Sequence, residues 1–195
     1  MVSGERLDRR AVVEALLADR GELVVVTGLG SPSYDVVAAG DHDLNYYLWG
    51  AMGSAATVGL GLAIAQPRRP VMVITGDGEL LMGIGALATI GVQRPENLTI
   101  AVLDNERYAE TGGQLSHTAT GVRIDGIAAA CGFAWTAEVT EQEGVEDVRR
   151  RASHSAGPGL AVCKVSPVDL PRVLPPIDAV HLKHRVRRAL GFEPR

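Results

Sequence analysis

Apolar positions Leu7, Ala11, Val12, Ala15 and Leu16 recur at helical spacing over residues 5 to 20, and Gly21 follows as a stop signal. The run "ELVVVTG" (22–28) is apolar and β-branched, which predicts a buried strand. The alternation then repeats. A Gly/Ala-rich helix is expected near 52 to 65, a strand at "VMVIT" (71–75), a helix near 79 to 92 and a strand at "NLTIAVL" (97–103). Beyond these, "DGIAAACG" (125–132) reads as a helix, "AWTAEV" (134–139) as a strand, residues 141 to 155 as an acidic-to-basic helix and "GLAVCKV" (159–165) as a strand. Strands alternating with helices predict an α/β fold of three α/β/α layers, with helices on both faces of a mostly parallel sheet.

Both central helices are apolar nearly all round, with Leu80, Leu81, Met82, Ile84, Leu87 and Ile90 in one of them, so both are expected to be buried on most sides. Gly53, Gly59, Gly61, Gly83 and Gly85 suggest close packing, against this chain or another. The proline-punctuated "SPVDLPRVLPP" (166–176) leads to "HLKHRVRRALGF" (181–192), a basic amphipathic segment expected to be a solvated helix or a strut on a neighbouring subunit. The expected organisation is one domain over residues 1 to 195, with a core of about 22 to 165 and a C-terminal extension from 166 to 195.

Composition narrows the partners. A chain of 195 residues that is 46% hydrophobic can bury a sizeable core, and a net charge of −4 offers no general attraction to nucleic acid or to an anionic membrane surface. The longest uncharged run, from Asn45 to Gln66, is broken by glycines and polar residues and is read as buried rather than membrane-spanning. The start, "MVSGERLDRR", is charged where a signal peptide would be apolar, so the cytoplasm is the expected location. Cys131 and Cys163 are far apart and are expected to be buried thiols, with no disulfide framework or cysteine-held metal.

Candidate chemistry lies at two strand ends. Asp77, between Gly76 and Gly78, follows "VMVIT", and Asn105 follows "NLTIAVLD". In an open parallel sheet ligands gather beyond the carboxyl ends of strands, so neighbouring strands would bring these side chains to one rim. A carboxylate and an amide oxygen form a hard donor set suited to magnesium or calcium, and magnesium completes its octahedron with water and phosphate oxygens. Two like charges ~4 Å apart at an effective dielectric of ~20 repel by ~4 kcal/mol, so a phosphate beside Asp77 calls for a cation between them. On spacing alone, an ordinary turn and a helix cap remain alternatives.

The motifs "NYYLWGAMGSAATVGLGLAIA", "GDGELLMGIGALATI", "PENLTIAVLDNERY" and "TGGQLSHT" occur in this order, and over roughly residues 22 to 165 the chain resembles the diphosphate-binding half of sulfopyruvate and phosphonopyruvate decarboxylases, thiamin-diphosphate enzymes. The resemblance implies that Asp77, Asn105 and the backbone carbonyl of Arg107 hold magnesium. It implies that "TGLGS" (27–31), with Gly28, Gly30 and Ser31, faces the diphosphate. Gly50 looks like the residue whose carbonyl receives the aminopyrimidine amino group, and Met52 like the bulky residue under the bent cofactor. Gly76, Gly78, Glu79, Leu80, Tyr108, Ala109 and Glu110 complete the implied cofactor contacts.

The implied activity is decarboxylation of a small 2-oxo acid, with thiamin diphosphate as the electron sink. His117 is a candidate for facing substrate or shuttling a proton, the alternative being a plain loop histidine. Thr111 and Gln114 are candidates for an acidic substrate group, the alternative being a loop held by its own polar contacts. His42, His154, His181 and His184 read as surface residues. Glu79 departs from the small residue often found there and is expected either to complement the helix dipole at an exposed first turn or to alter the diphosphate end. "ERYAE" is more charged than the usual Gly-containing loop.

In such enzymes a glutamate from a separate pyrimidine-binding domain activates the cofactor. Only about twenty residues precede the first strand here, so a second, pyrimidine-binding subunit is expected to supply it. A carboligase subunit and a non-catalytic scaffold subunit are the competing readings. A ferredoxin-linked enzyme would need its cluster on a partner, and "TGLGSPS" lacks the third glycine of a dinucleotide fingerprint.

Overall fold

The computed structural model describes residues 6–154 and 157–193. Residues 1–5, with the beginning of the charged start, and Ser155, the last residue of the expected helix 141–155, lie outside the described residues.

Helix α1 (Arg9–Leu17) begins where the Asp8 side chain accepts a hydrogen bond from the Ala11 amide at 2.8 Å, satisfying one of the free first-turn donors. Then follow β1 (Val24–Thr27), α2 (Ser31–Ala38), β2 (Asn45–Tyr47), α3 (Ala55–Ala65), β3 (Val71–Gly76), α4 (Asp77–Met82), α5 (Ala86–Gln93) and β4 (Leu98–Asp104). A short antiparallel pair, β5 (Arg107–Tyr108) and β6 (Gln114–Leu115), stands apart from the main sheet. The chain continues through α6 (Ile124–Ala130), β7 (Trp135–Val139), α7 (Gln142–Ser153), β8 (Gly159–Lys164) and α8 (Ala179–Ala189).

The six-stranded sheet runs β2-β1-β3-β4-β8-β7, and every neighbouring pair is parallel. Alternating strand residues feed two cores. Val24, Val26, Val73, Ile100 and Leu160 pack under α3, α5 and α6, while Val25, Met72, Ile74, Ala101 and Cys163 pack under α1, α2, α7 and α8. These are the three α/β/α layers read from the sequence. The strand order reverses between β1 and β3, which makes a crevice beyond their carboxyl ends.

Besides the short pair β5 and β6, two elements escaped the periodicity. α2 starts at a left-handed Gly30 (φ 82°) and carries Pro32 in its first turn, where the fixed proline φ suits a helix start. β2 is three residues long, too short to show alternation. The helix expected over 79 to 92 is two, α4 and α5: Gly83 leaves helical geometry as the C-cap of α4, and it lies so close to the Gly53 backbone that a Cβ there would overlap the Gly53 carbonyl oxygen.

Burial of the central helices on most sides does not hold. Ile64 is 55% exposed, Met82 62% and Val92 79%, so these helices present an apolar outer face. The close approaches of Gly53 to Gly83 and of Gly59 to Val73 are made within this chain, while Gly61 and Gly85 have open space around their Cα atoms. Of the thiols, Cys163 is buried and its pKa is pushed up to about 12 by desolvation, whereas Cys131 is only partly buried, contrary to expectation.

The C-terminal extension docks on this chain's own sheet edge. Asp178 caps α8 by accepting from the amides of Val180 (2.9 Å) and His181 (3.0 Å), Leu182 and Val186 are buried, and Arg185 pairs with Asp41 at 2.6 Å beside β2. It is therefore packed against its own chain rather than fully solvated. His42, His154 and His181 are exposed as expected, and His184 is partly buried. No helix of the described residues is long and apolar enough to cross a membrane.

Gly83→Ala is expected to destabilise the fold by about 1–3 kcal/mol through overpacking against Gly53, whereas Gly85→Ala stays within about 1 kcal/mol of wild type. Urea denaturation of the two variants checks this.

Candidate functional site

β3 and β4 pair in parallel with Gly76 opposite Leu103, so the segments that leave them, carrying Asp77 and Asn105, emerge side by side. Together with the turn after β1 they border an open cleft at the sheet's switch point. Asp77 and Asn105 both line it, the shared rim expected of them, and Arg107 lines it too.

Asp77 is buried, and its Oδ2 accepts from the Ser116 hydroxyl and from Thr118 Oγ1 at 3.2 Å. Desolvation raises its pKa well above the ordinary carboxylate value; the Ser116 hydrogen bond opposes this and the Asp104 charge adds to it. Asp104 is buried too, but Lys164 pairs with it at 2.8 Å. Thr118 Oγ1 also lies 2.8 Å from Asp104 Oδ1, so its single proton is shared between the two carboxylates, with the shorter contact to Asp104. Asp77 has no cationic side-chain partner among the described residues. Nor do the described residues hold a cluster of three or more His, Cys, Asp or Glu suited to a metal ion.

After Asp104 the chain turns through Glu106, a non-glycine residue at φ 61°. Its amide donates to Asp104 Oδ1 at 3.0 Å, and its carboxylate meets Arg6 at 2.7 Å and Lys164 at 2.9 Å. Those contacts hold a left-handed turn that glycine would adopt without strain, which accounts for the charged character of "ERYAE". Asn105 Oδ1 accepts from the Arg107 amide at 3.0 Å, a local turn that fixes the amide oxygen and leaves it a second lone pair.

The remaining expected contacts divide. Ser31, Met52, Gly76, Gly78, Tyr108 and Ala109 border the cleft, with Glu79 and Glu110. Gly28 and Gly30 are not in its wall: Gly28 lies against Thr75 and Glu79, and Gly30 against the Glu110 side chain, while Leu29 and Ser31 reach the cleft instead. Gly50 is exposed and outside the cleft lining. The Leu80 side chain is fully buried in the core, so only its backbone is available to a ligand. Gly78 leaves room for the Tyr108 ring, whose Cδ1 would stand 2.6 Å from a Cβ there.

His117 is exposed, lies outside the cleft wall and is joined through Nδ1 to the Tyr108 hydroxyl at 2.9 Å. Thr111 and Gln114 hydrogen-bond one another, with Gln114 Nε2 donating to the Thr111 carbonyl at 2.9 Å, the self-held loop that was their alternative reading. The exposed first turn expected for Glu79 is wrong: its carboxylate is buried and accepts from the Gly53 amide at 2.9 Å, the Ala55 amide at 3.2 Å and the Thr75 hydroxyl.

Sequence reasoning missed Arg9, a buried arginine in the cleft wall whose Nε donates to the buried Asp35, which also meets Arg10 at 3.2 Å. Its position in an amphipathic helix carried no sign of this. It also missed Ser116 and Thr118, whose hydroxyls gain meaning only once the loop folds back on Asp77.

Fold and cleft define a doubly wound α/β domain with its ligand crevice at the switch point. Residues 33–165 match the thiamine pyrophosphate enzyme C-terminal TPP binding domain, and the chain belongs to that family. It is 40% identical over 179 residues to a phosphonopyruvate decarboxylase of Streptomyces viridochromogenes, covering 89% of this chain and 45% of that protein. The chain thus spans a little under half of that relative's length. It is 31% identical over 186 residues to the sulfopyruvate decarboxylase subunit beta of Methanococcus maripaludis, covering 94% of this chain and 98% of that subunit. The benzoylformate decarboxylase structure from Polynucleobacter necessarius shares the fold, with a TM-score of 0.72 at 22% identity over 87% of this chain and 35% of that one.

Thr118→Val removes the hydroxyl shared by two buried carboxylates at nearly constant volume and is expected to cost about 1–3 kcal/mol of stability. Thermal unfolding beside a surface control, Thr120→Val, measures it.

Proposed function

We propose that this chain is the diphosphate-binding subunit of a heteromeric, thiamin diphosphate- and magnesium-dependent decarboxylase acting on a small, doubly acidic 2-oxo acid of the sulfopyruvate or phosphonopyruvate kind. The observation that carries this is the near end-to-end match to a sulfopyruvate decarboxylase beta subunit, with Asp77 and Asn105 at one rim. The name of that relative supports a separate subunit as the source of the pyrimidine-binding half and its glutamate. Two unpaired cysteines fit a reducing, cytoplasmic setting.

The donor set fits magnesium. Asp77 supplies a buried carboxylate lacking a cationic side-chain partner among the described residues, Asn105 a fixed amide oxygen and Arg107 a backbone carbonyl. Three hard oxygens leave positions that magnesium fills with water and phosphate oxygens. Burial that raises the Asp77 pKa is the cost a bound divalent cation would offset.

Thiamin diphosphate, when bound, supplies the electron sink for the bond broken as carbon dioxide leaves. This chain's part is to bind and orient. Ser31 and the free amides at the start of α4 face the diphosphate end of the cleft, Met52 supports the organic part, and Arg9 and Arg107 bring positive charge to an acidic ligand. α4 is only six residues long, so its separate amides matter more than any helix dipole.

Calorimetric titration of thiamin diphosphate with magnesium into this chain, alone and with its pyrimidine-binding subunit, tests the reading. Metal-dependent binding that is lost in Asp77→Ala is the expected result; absence of binding in every mixture contradicts it. Because the proton and the metal compete for a carboxyl whose pKa is raised, magnesium affinity should fall as pH drops from neutral to mildly acidic. An affinity flat across that window contradicts the assignment of Asp77.

A further inference from the structure

Glu79 stands where three cofactor-facing segments meet. Its Oε1 accepts from the amides of Gly53 (2.9 Å) and Ala55 (3.2 Å), and its Oε2 from the Thr75 hydroxyl. On another side lies Gly28, where a Cβ would stand 2.8 Å from Thr75 Oγ1 and 3.1 Å from Glu79 Cδ. One carboxylate therefore touches the turn after β1, the loop before α3 and the end of β3.

Glu79 is 4% exposed, and its partners among the described residues are two amides and a hydroxyl, with no cationic side chain. A buried carboxylate is tolerated when charge-assisted hydrogen bonds replace its hydration, and here they come from one loop. That loop is strained: Ala51 has φ 54° and Gly53 φ 88°, and Met52 lies between them. A non-glycine residue in the left-handed region persists where its surroundings over-determine it. Gly53 is pinned from one side by Gly83 and from the other by Glu79.

We infer that Glu79 is a positioning residue that fixes the Met52 loop against the Gly-Asp-Gly rim, and thereby sets the fit of the organic part of the cofactor rather than of its diphosphate. The inference rests on the thiamin diphosphate reading above. It accounts for a large acidic residue beside a phosphate-binding rim: the carboxylate is turned toward backbone amides, and its charge is spent there. Glutamine keeps the role, since its carbonyl oxygen accepts from Gly53 and Ala55 while its amide donates to Thr75 Oγ1.

The test compares wild type, Glu79→Gln and Glu79→Ala by two readouts. Amide hydrogen exchange in the cofactor-free chain should show Gly53 and Ala55 losing protection in Glu79→Ala and keeping it in Glu79→Gln. In calorimetry, with the pyrimidine-binding subunit present, Glu79→Ala should weaken thiamin diphosphate by about tenfold to a hundredfold, the scale of a misplaced contact, while magnesium pyrophosphate binds within about threefold of wild type. Glu79→Gln should restore thiamin diphosphate affinity. Parallel loss of both ligands, or unchanged protection and affinity in Glu79→Ala, overturns the role assigned to Glu79. Failure of wild type to bind thiamin diphosphate overturns the functional reading itself, and the exchange data then still report whether Glu79 holds the loop.

Discussion

Keeping the Asp77 carboxylate buried at the end of a central parallel strand is the constraint around which the rim is organised. A charge removed from water needs hydrogen bonds or a counter-charge. Ser116 and Thr118 supply the first from a loop about forty residues later in the chain, which draws that loop back onto Asp77. The neighbouring Asp104 is neutralised by Lys164 from β8, so the unbalanced charge of the pair resides on Asp77, at the cleft wall. The fold leaves one anion facing the ligand side and satisfies the other internally.

Parallel pairing of β1, β3 and β4 then does the positioning. Each strand ends at the same edge, and each is followed by a sharp backbone change: Gly30 at φ 82° after β1, the start of α4 after β3, Glu106 at φ 61° after β4. The last of these turns is held by side chains from elsewhere, Arg6 and Lys164 on Glu106, and the Glu110 side chain packs close to Gly30. The Met52 loop is held by Glu79 in the same manner. Strained loops on a rigid sheet give a preorganised rim, while the exposed apolar residues Ile64, Met82 and Val92 lie on the helices of the α3/α5 layer.

The sheet and its layers were legible in the sequence because β-branched runs and helical periodicity report burial directly, as at "VMVIT" and "NLTIAVL". Family motifs made Asp77, Asn105 and Arg107 legible as a set, and the structure brings them to one cleft. α2 and β2 were not legible, being set by a left-handed glycine and by pairing with β1 rather than by periodicity. Glu79 and Arg9 were misread or missed because burial of a charged side chain depends on partners distant in sequence, Gly53 and Ala55 for one and Asp35 for the other. Gly28, Gly30 and His117 were singled out by motif position; in the fold Gly28 lies against Thr75 and Glu79, Gly30 lies against the Glu110 side chain, and His117 is joined to the Tyr108 hydroxyl.

The proposed site has one divalent cation joining Asp77, Asn105 and the Arg107 carbonyl to a diphosphate. Anomalous diffraction from crystals grown with manganese and thiamin diphosphate tests it most directly. A single metal peak is expected at roughly 2.0–2.3 Å from those three oxygens and from phosphate oxygens. A diphosphate bound in the cleft with the metal away from Asp77, or a metal held by Asp104 instead, would contradict it.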